Sequence, residues 1–258
     1  MYTSYRFLAV PTVLLLVSGC GGAPAEDGPL GSDESAALSS NALSSNALSS
    51  NALSSNAMAS IQDPSATGTL SRQLLEYTAG CALNPTQSVS ISWNDADGDP
   101  QSATYYGQLG LAPEWANGPL TRRTSQELVS ACLAARTNYF GVTVHISVRG
   151  SANVLESNTT SAELAAYPYV EGAFWGNLFS ANPALYSCYD PRNVAHSRAD
   201  QRECATGYVE ANGHLDSCGM IQRTGSCDEQ CIYLDPQNQF YWACGDDYTM
   251  NSVTIGLQ

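Results

Sequence analysis

Apolar and polar positions recur along this chain with two different periods. Leu70, Leu74, Leu75, Thr78, Ala79 and Ala82 are spaced as one helical face, which predicts a helix over 70–83. Asn84-Pro85 stops it, because proline cannot continue a helix. Val89, Ile91 and Trp93 alternate with Ser88, Ser90 and Ser92, the pattern of a half-buried strand. Asn94 to Pro100 reads as a turn and Ala103 to Gly107 as the returning strand. Thr124 with Glu127 matches a capping box. Leu128, Val129, Cys132, Leu133 and Arg136 then share a helical face that runs to about Asn138. Val142, Val144, Ile146 and Val148 alternate with Thr143, His145, Ser147 and Arg149, which predicts a strand with His145 turned away from the apolar face. Glu163 to Phe179 reads as helix in two pieces, broken near Pro168 and Gly172, and Val253, Ile255 and Leu257 alternate again. Strands separated by helices, with hairpin signals, predict an α+β fold, a small mixed domain rather than a regular βαβ series.

The start of the chain follows a different logic. Arg6 precedes an apolar run from Phe7 to Val17. That run falls short of the roughly 20 residues that span a bilayer, but it fits the apolar region of a signal peptide. Leu16-Val17-Ser18-Gly19-Cys20 closes it and resembles the bacterial lipobox. The resemblance implies cleavage of residues 1–19, a diacylglyceryl group on the Cys20 sulfur and acylation of the new amino terminus. Three acyl chains exceed what stable anchoring requires. Gly21, rather than Asp, follows the cysteine. By analogy with enteric bacteria this favours the outer membrane, with exposure at the cell surface as a further expectation.

Residues 21–37 are rich in Gly, Ala, Pro, Ser and acid, and four identical copies of Leu-Ser-Ser-Asn-Ala follow from 38, 43, 48 and 53. A period of five collects the leucines on neither a helical nor a strand face. Twenty residues are also too few for the stacked coils of a solenoid. Residues 20–68 therefore read as a disordered tether, and residues 69–258 as the globular domain. A flexible chain of about 49 residues reaches ~40 Å. The repeat is alternatively a docking element for a partner.

Charge narrows the function classes. Ten cations face 24 acids, for a net charge of −14, and cleavage at Cys20 would remove Arg6 and no acid, giving −15. That balance argues against sequence-independent nucleic-acid binding, which needs a basic face, and against attraction to anionic lipid. All ten cations are arginines, so no lysine is available for Schiff-base or phosphate-loop chemistry. Beyond Cys20 there are eight cysteines: Cys81, Cys132, Cys188, Cys204, Cys218, Cys227, Cys231 and Cys244. An even count in an exported chain predicts four disulfides. Six of the eight fall within 185–245, marking a disulfide-rich, loop-rich C-terminal lobe. Cys81–Cys132 is the simplest pairing outside it, and connectivity within the lobe stays open. The rival reading is a structural zinc, using Cys227 with Cys231 or His214 with Cys218, each pair four residues apart.

Candidate chemistry is sparse. Asp95, Asp97 and Asp99 stand at alternate positions, as in calcium loops, but no Glu occupies the twelfth position and Asp-Gly also forms hairpin tips. A polar turn is one reading and a calcium site the other; apart from the lipid on Cys20, no other cofactor is expected. Tyr167, Tyr169, Phe174, Trp175 and Phe179 lie near Glu163 and Glu171, an arrangement that either stacks sugars beside two carboxylates or packs a core. Tyr233, Tyr241 and Trp242 add to the aromatic surface open to a ligand. His196 and His214 sit in the Cys-rich lobe without a nucleophile motif beside them. Glu171, His145 and Glu114 are the acid–base candidates for a hydrolase of an extracellular polymer.

Several stretches carry a likeness: residues 74–83 (LLEYTAGCAL), 110–115 (GLAPEW), 128–142 (LVSACLAARTNYFGV), 146–150 (ISVRG) and 171–179 (EGAFWGNLF). With the Ser-Asn-Ala-Leu repeats they resemble a group of secreted lipoproteins from myxobacteria and their relatives. The resemblance implies a cell-envelope setting and carries over no catalytic residue. The expectation is a lipid-anchored envelope protein serving as a binding or structural module, with an envelope protein or a carbohydrate as partner.

Overall fold

The computed structural model describes residues 37–38, 57–216, 218–232 and 234–258. Cys20, the cleavage region and the repeat residues 39–56 lie outside them. Strand β1 (Ala37–Leu38) pairs antiparallel with Ser147 and Ile146, so the first leucine of the repeats lies on a sheet edge. Helix α1 (Ala57–Gln62) and helix α2 (Ala66–Ala82) follow. Helical structure is therefore present from Ala57, within the stretch predicted as tether to 68. The cause is tertiary. Ile61 is buried, and the Arg72 guanidinium donates to the carbonyls of Ile61 (2.8 Å) and Asp63 (2.9 Å), fixing the corner between the two helices. Ser65 caps α2, accepting from the Thr67 N–H.

The predicted hairpin is present as β2 (Ser88–Asn94) paired in full register with β3 (Pro100–Tyr106). A 3₁₀ turn at Pro113–Asn117 leads to α3 (Arg123–Arg136). The capping box does not form. The N-cap is Arg122, and the buried Glu127 carboxylate accepts instead from Arg123 Nε (2.6 Å) and Asn251 Nδ2 (2.6 Å). A tertiary partner has taken the side chain that local chemistry would have turned back on the helix.

Strand β4 spans only Ile146–Arg149, not 142–149. Among the described residues, its ladder with β13 reaches Ser147 and its ladder with β1 reaches Ile146. Helices α4 (Asn153–Asn158) and α5 (Ser161–Ala166) precede β5 (Tyr169–Asn177). The second piece of the helix predicted over Glu163–Phe179 is thus a strand. Gly172 shows why it suits a ladder: a Cβ there would lie 2.0 Å from the Cys188 carbonyl oxygen of the next strand. Then come β6 (Ala184–Tyr189), α6 (Val194–Ala199), β7 (Tyr208–Val209), β8 (Leu215–Asp216), β9 (Ile221–Ser226), α7 (Cys227–Gln230), β10 (Leu234–Asp235), β11 (Phe240–Tyr241), β12 (Ala243–Cys244) and β13 (Met250–Leu257).

Among the described residues, seven strands form one sheet in the order β1-β4-β13-β5-β6-β9, with β12 also on β13. The fold is α+β, as the pattern predicted. The sheet is antiparallel except for the β6–β9 pair. Helix α3 packs across β5, β13 and β6, and Phe174, Val253 and Ile255 join its buried face. Ala173 and Trp175 instead join a second cluster formed by Cys188, Cys227, Cys231, Cys244 and Tyr241. One face of the central sheet therefore carries helices and the other carries the cystine-rich lobe. Coverage on both faces buries β5 from Val170 to Gly176 and removes the period-two signal.

The eight described cysteines pair as Cys81–Cys132, Cys188–Cys227, Cys204–Cys218 and Cys231–Cys244. The first ties α2 to α3. The sulfurs of Cys188 and Cys231 lie 3.6 Å apart, so two cystines pack against each other beneath β5. With Cys227 and Cys231 in separate disulfides, and Cys218 bonded to Cys204, both proposed zinc pairs are broken. Thiol titration of the unreduced, denatured protein is expected to find none of these eight cysteines free. Replacing Cys81 and Cys132 together by Ala should cost roughly 2–4 kcal/mol, measured by denaturant unfolding.

Candidate functional site

The acid–base candidates do not converge. Glu171 sits at the middle of β5 with no exposure, and its carboxylate accepts from Ser197 Oγ (3.0 Å) and Arg202 Nη2 (3.0 Å). His145 is exposed on the loop before β4. Glu114 is held by Ser125 Oγ, and that hydrogen bond keeps its carboxyl below the usual range, the wrong direction for a general acid at neutral pH. Glu163, the other acid of the aromatic stretch, belongs to a separate network. It accepts from Ser147 Oγ, which accepts in turn from Arg149 Nε (2.8 Å), while Arg149 Nη2 donates to the Tyr167 carbonyl (2.6 Å). Ser147 and Arg149 were the polar face of a predicted half-buried strand, yet both are fully buried.

The aromatic stretch is mostly core. Phe174 and Trp175 are buried on opposite sides of β5, Tyr167 is buried and Phe179 packs at the edge of the helical cluster. Tyr169 is exposed and stacks on His196, whose Nε2 meets the Gln258 carbonyl (2.5 Å) and Asp200 (3.2 Å). His214 is exposed in the β7–β8 hairpin. Tyr233 lies outside the described residues. Trp242 is partly exposed, while Tyr241 is buried among Asp190, Arg192 and Asp228, with burial pushing its hydroxyl upward. This cluster had no sequence signal, because Tyr241, Asp228 and the Asp190–Arg192 pair come from separate stretches of the chain.

The three aspartates of the hairpin tip form a turn. Asp95 Oδ1 accepts the backbone N–H groups of Asp97 (3.1 Å) and Asp99 (2.9 Å), and Oδ2 accepts from Gln101 Nε2 (2.8 Å). These bonds, led by Asp99, hold its carboxyl below the usual range. Among the described residues, only the sulfurs of Cys188, Cys231 and Cys244 come together at ligand spacing, and all three are committed to disulfides. The Asp95, Asp97 and Asp99 carboxylates do not gather as a calcium cage would require.

Beside that turn lies an open groove of about 570 Å³, lined by Gln62, Pro64, Trp93, Asn94, Asp95 and Gln101 among others. The Arg72 guanidinium sits 4.4 Å over the Trp93 ring and holds it against the α1–α2 corner. An aromatic ring flanked by amides and a carboxylate can stack and hydrogen-bond a polar ligand. Trp93 carried a strand signal in the sequence, and nothing there linked it to Gln62. Comparison of the chain with protein-family models, curated proteins and solved structures returned no match. No described helix is long and apolar enough to cross a membrane.

Two measurements check the buried groups. Arg202→Met should destabilise by about 3–5 kcal/mol, since it strands the Glu171 charge. Adding Glu171→Met should recover part of that loss but leave the carbonyls that Arg202 serves unpaired. Burial raises the Glu203 carboxyl above its ordinary 4.5, so its contribution to stability is fully present below that pH and is lost as pH rises through the folded value. Glu203→Gln is accordingly expected to raise the melting temperature at pH 7, with the gap to wild type closing below about pH 4.

Proposed function

We propose that this chain is a lipid-anchored protein of the bacterial cell envelope, held at the outer membrane through Cys20, whose disulfide-stapled domain is a surface binding module. The observation that carries the binding half is the contrast between two places. The carboxylate at the centre of the sheet, Glu171, is sealed from solvent and neutralised by Arg202, whereas the Trp93 groove is open and polar. A hydrolase needs a reachable acid and base near one another. Glu171, His145 and Glu114 occupy a sealed core, an exposed loop and a serine-held turn, so the hydrolase reading loses its residues.

The groove suits a carbohydrate of the envelope. Sugars offer an apolar face to an aromatic ring and hydroxyls to amide and carboxylate groups, and neither needs a positive charge from the protein. A net charge of −14 disfavours anionic polymers, so the ligand is neutral or carries amines. The anchor half is supported by the short apolar run and the lipobox-like residues before Cys20.

Three variants test these halves separately. Cys20→Ser should abolish incorporation of labelled fatty acid in cells; continued labelling overturns the anchor. Trp93→Ala and Gln62→Ala should each weaken binding to neutral envelope polysaccharide, read by calorimetry, by about tenfold or more. Unchanged affinity in both, or no binding by the wild type, overturns the groove.

A further inference from the structure

One edge of the main sheet is closed by the start of the repeat. Strand β4 pairs with β13 on one side and with β1 on the other. All four residues of β4 are buried. Successive N–H groups along a strand point to opposite sides, so part of this buried backbone needs a partner on the β1 side. Ala37–Leu38 supplies it, with Ala37 opposite Ser147 and Leu38 opposite Ile146. A strand edge holds an added segment chiefly through main-chain hydrogen bonds.

The segment it holds is not unique in the chain. Ala-Leu-Ser-Ser stands at 37–40 and again at 42–45, 47–50 and 52–55. The three later copies lie outside the described residues, and the sequence alone brings them in. Each offers β4 the same backbone and the same four side chains; only the residue before them changes, from Ala36 to Asn. What differs is the chain left before α1 begins at Ala57: 18 residues after Leu38, 13 after Leu43, 8 after Leu48 and 3 after Leu53. The entropy of closing a loop varies slowly with its length, so the first three copies differ by only about threefold in population. Three residues reach at most ~10 Å, which sets the limit of the series. A ladder of two residues also lacks the long alternation that locks a register.

We infer that the outer side of β4 is a docking edge for the chain's own repeat, which exchanges Ala37–Leu38 for residues 42–43 or 47–48 in steps of five. Exchange moves the point at which the chain leaves the domain. Each step transfers five residues, up to ~17 Å of extended chain, to the stretch between Cys20 and the domain. The repeat thereby sets how far the domain stands from the lipid. That consequence rests on the anchor in the proposed function, whereas the docking does not.

Amide exchange resolved to single residues, on the full chain, tests the docking. Ala37→Pro with Leu38→Pro removes whichever N–H donates to β4. The Ile146 and Ser147 amides should then change by less than about threefold, because the next copy takes the edge. Adding Ala42→Pro, Leu43→Pro, Ala47→Pro, Leu48→Pro, Ala52→Pro and Leu53→Pro should speed the amide that faces β1 by about tenfold or more, with Thr254 and Ile255 of β13 unchanged. A peptide of the sequence Ser-Asn-Ala-Leu-Ser-Ser-Asn-Ala-Leu, at the roughly millimolar level a short linker supplies, should restore slow exchange. The peptide decides even where the speeding reaches β13. Full loss of protection with the first pair of prolines, no loss with all eight, or no rescue by peptide overturns the inference. Protection of the first variant that grows with protein concentration also overturns it, since the repeat would then come from a second molecule. None of these readouts involves lipid, and the fatty-acid label on Cys20 is indifferent to the prolines, so failure of the docking and failure of the anchor are told apart.

Discussion

Glu171 and Arg202 meet at 3.0 Å with neither side chain exposed to solvent. Removing two charges from water costs several kcal/mol per ion, and only close geometry with further hydrogen bonds offsets it. Both conditions hold. Ser197 Oγ donates to Glu171, and Arg202 donates to the carbonyls of Ala135 and Thr137 (2.7 and 2.9 Å) at the end of α3. Those carbonyls have no partner within the helix, so Arg202 also serves as its C-terminal cap. One pair thereby joins the central strand, the main packing helix, α6 and the segment leading to β7. The acid that resembled a catalytic group is a structural keystone.

The rest of the architecture follows from covering a sheet on both faces with limited material. Helix α3 supplies one cover through Leu128, Val129, Ala131, Cys132 and Leu133. The other face has short strands and turns rather than a helix layer, and few large aliphatic side chains contribute to its cluster. Paired cystines fill that role. They bury sulfur beneath β5 and limit the freedom of the unfolded lobe, an arrangement suited to an oxidising compartment.

The solvent-facing features fall where this framework ends. The groove lies where the β2–β3 hairpin meets the α1–α2 corner, with Arg72 positioning Trp93. The exposed Tyr139 and Phe140 lie where α3 ends, past the carbonyls that Arg202 holds. Each surface is backed by an arginine that donates to backbone carbonyls inside the protein. In a chain with so few cations, the arginines are spent largely on structure: Arg72, Arg136, Arg149 and Arg202 are all buried.

What the sequence determined by itself was local. Helix α2, the β2–β3 hairpin, the body of α3, β13 and the Cys81–Cys132 bridge were legible because each depends on neighbours in the chain or on a simple count. The acidity was equally plain. Tertiary structure decided the rest. Strand β5 looked helical because its two faces are both covered, which erases alternation. The strand predicted from Val142 is described only over Ile146–Arg149, where β13 and β1 pair with it. Ser147 and Arg149 went inward because Glu163, fourteen or more residues away in sequence, was there to satisfy them. Glu171 carried no mark of its fate, since a carboxylate reads alike whether it will meet a substrate or an arginine. Period and composition encode what a residue prefers; only the assembled chain determines which distant partner answers it.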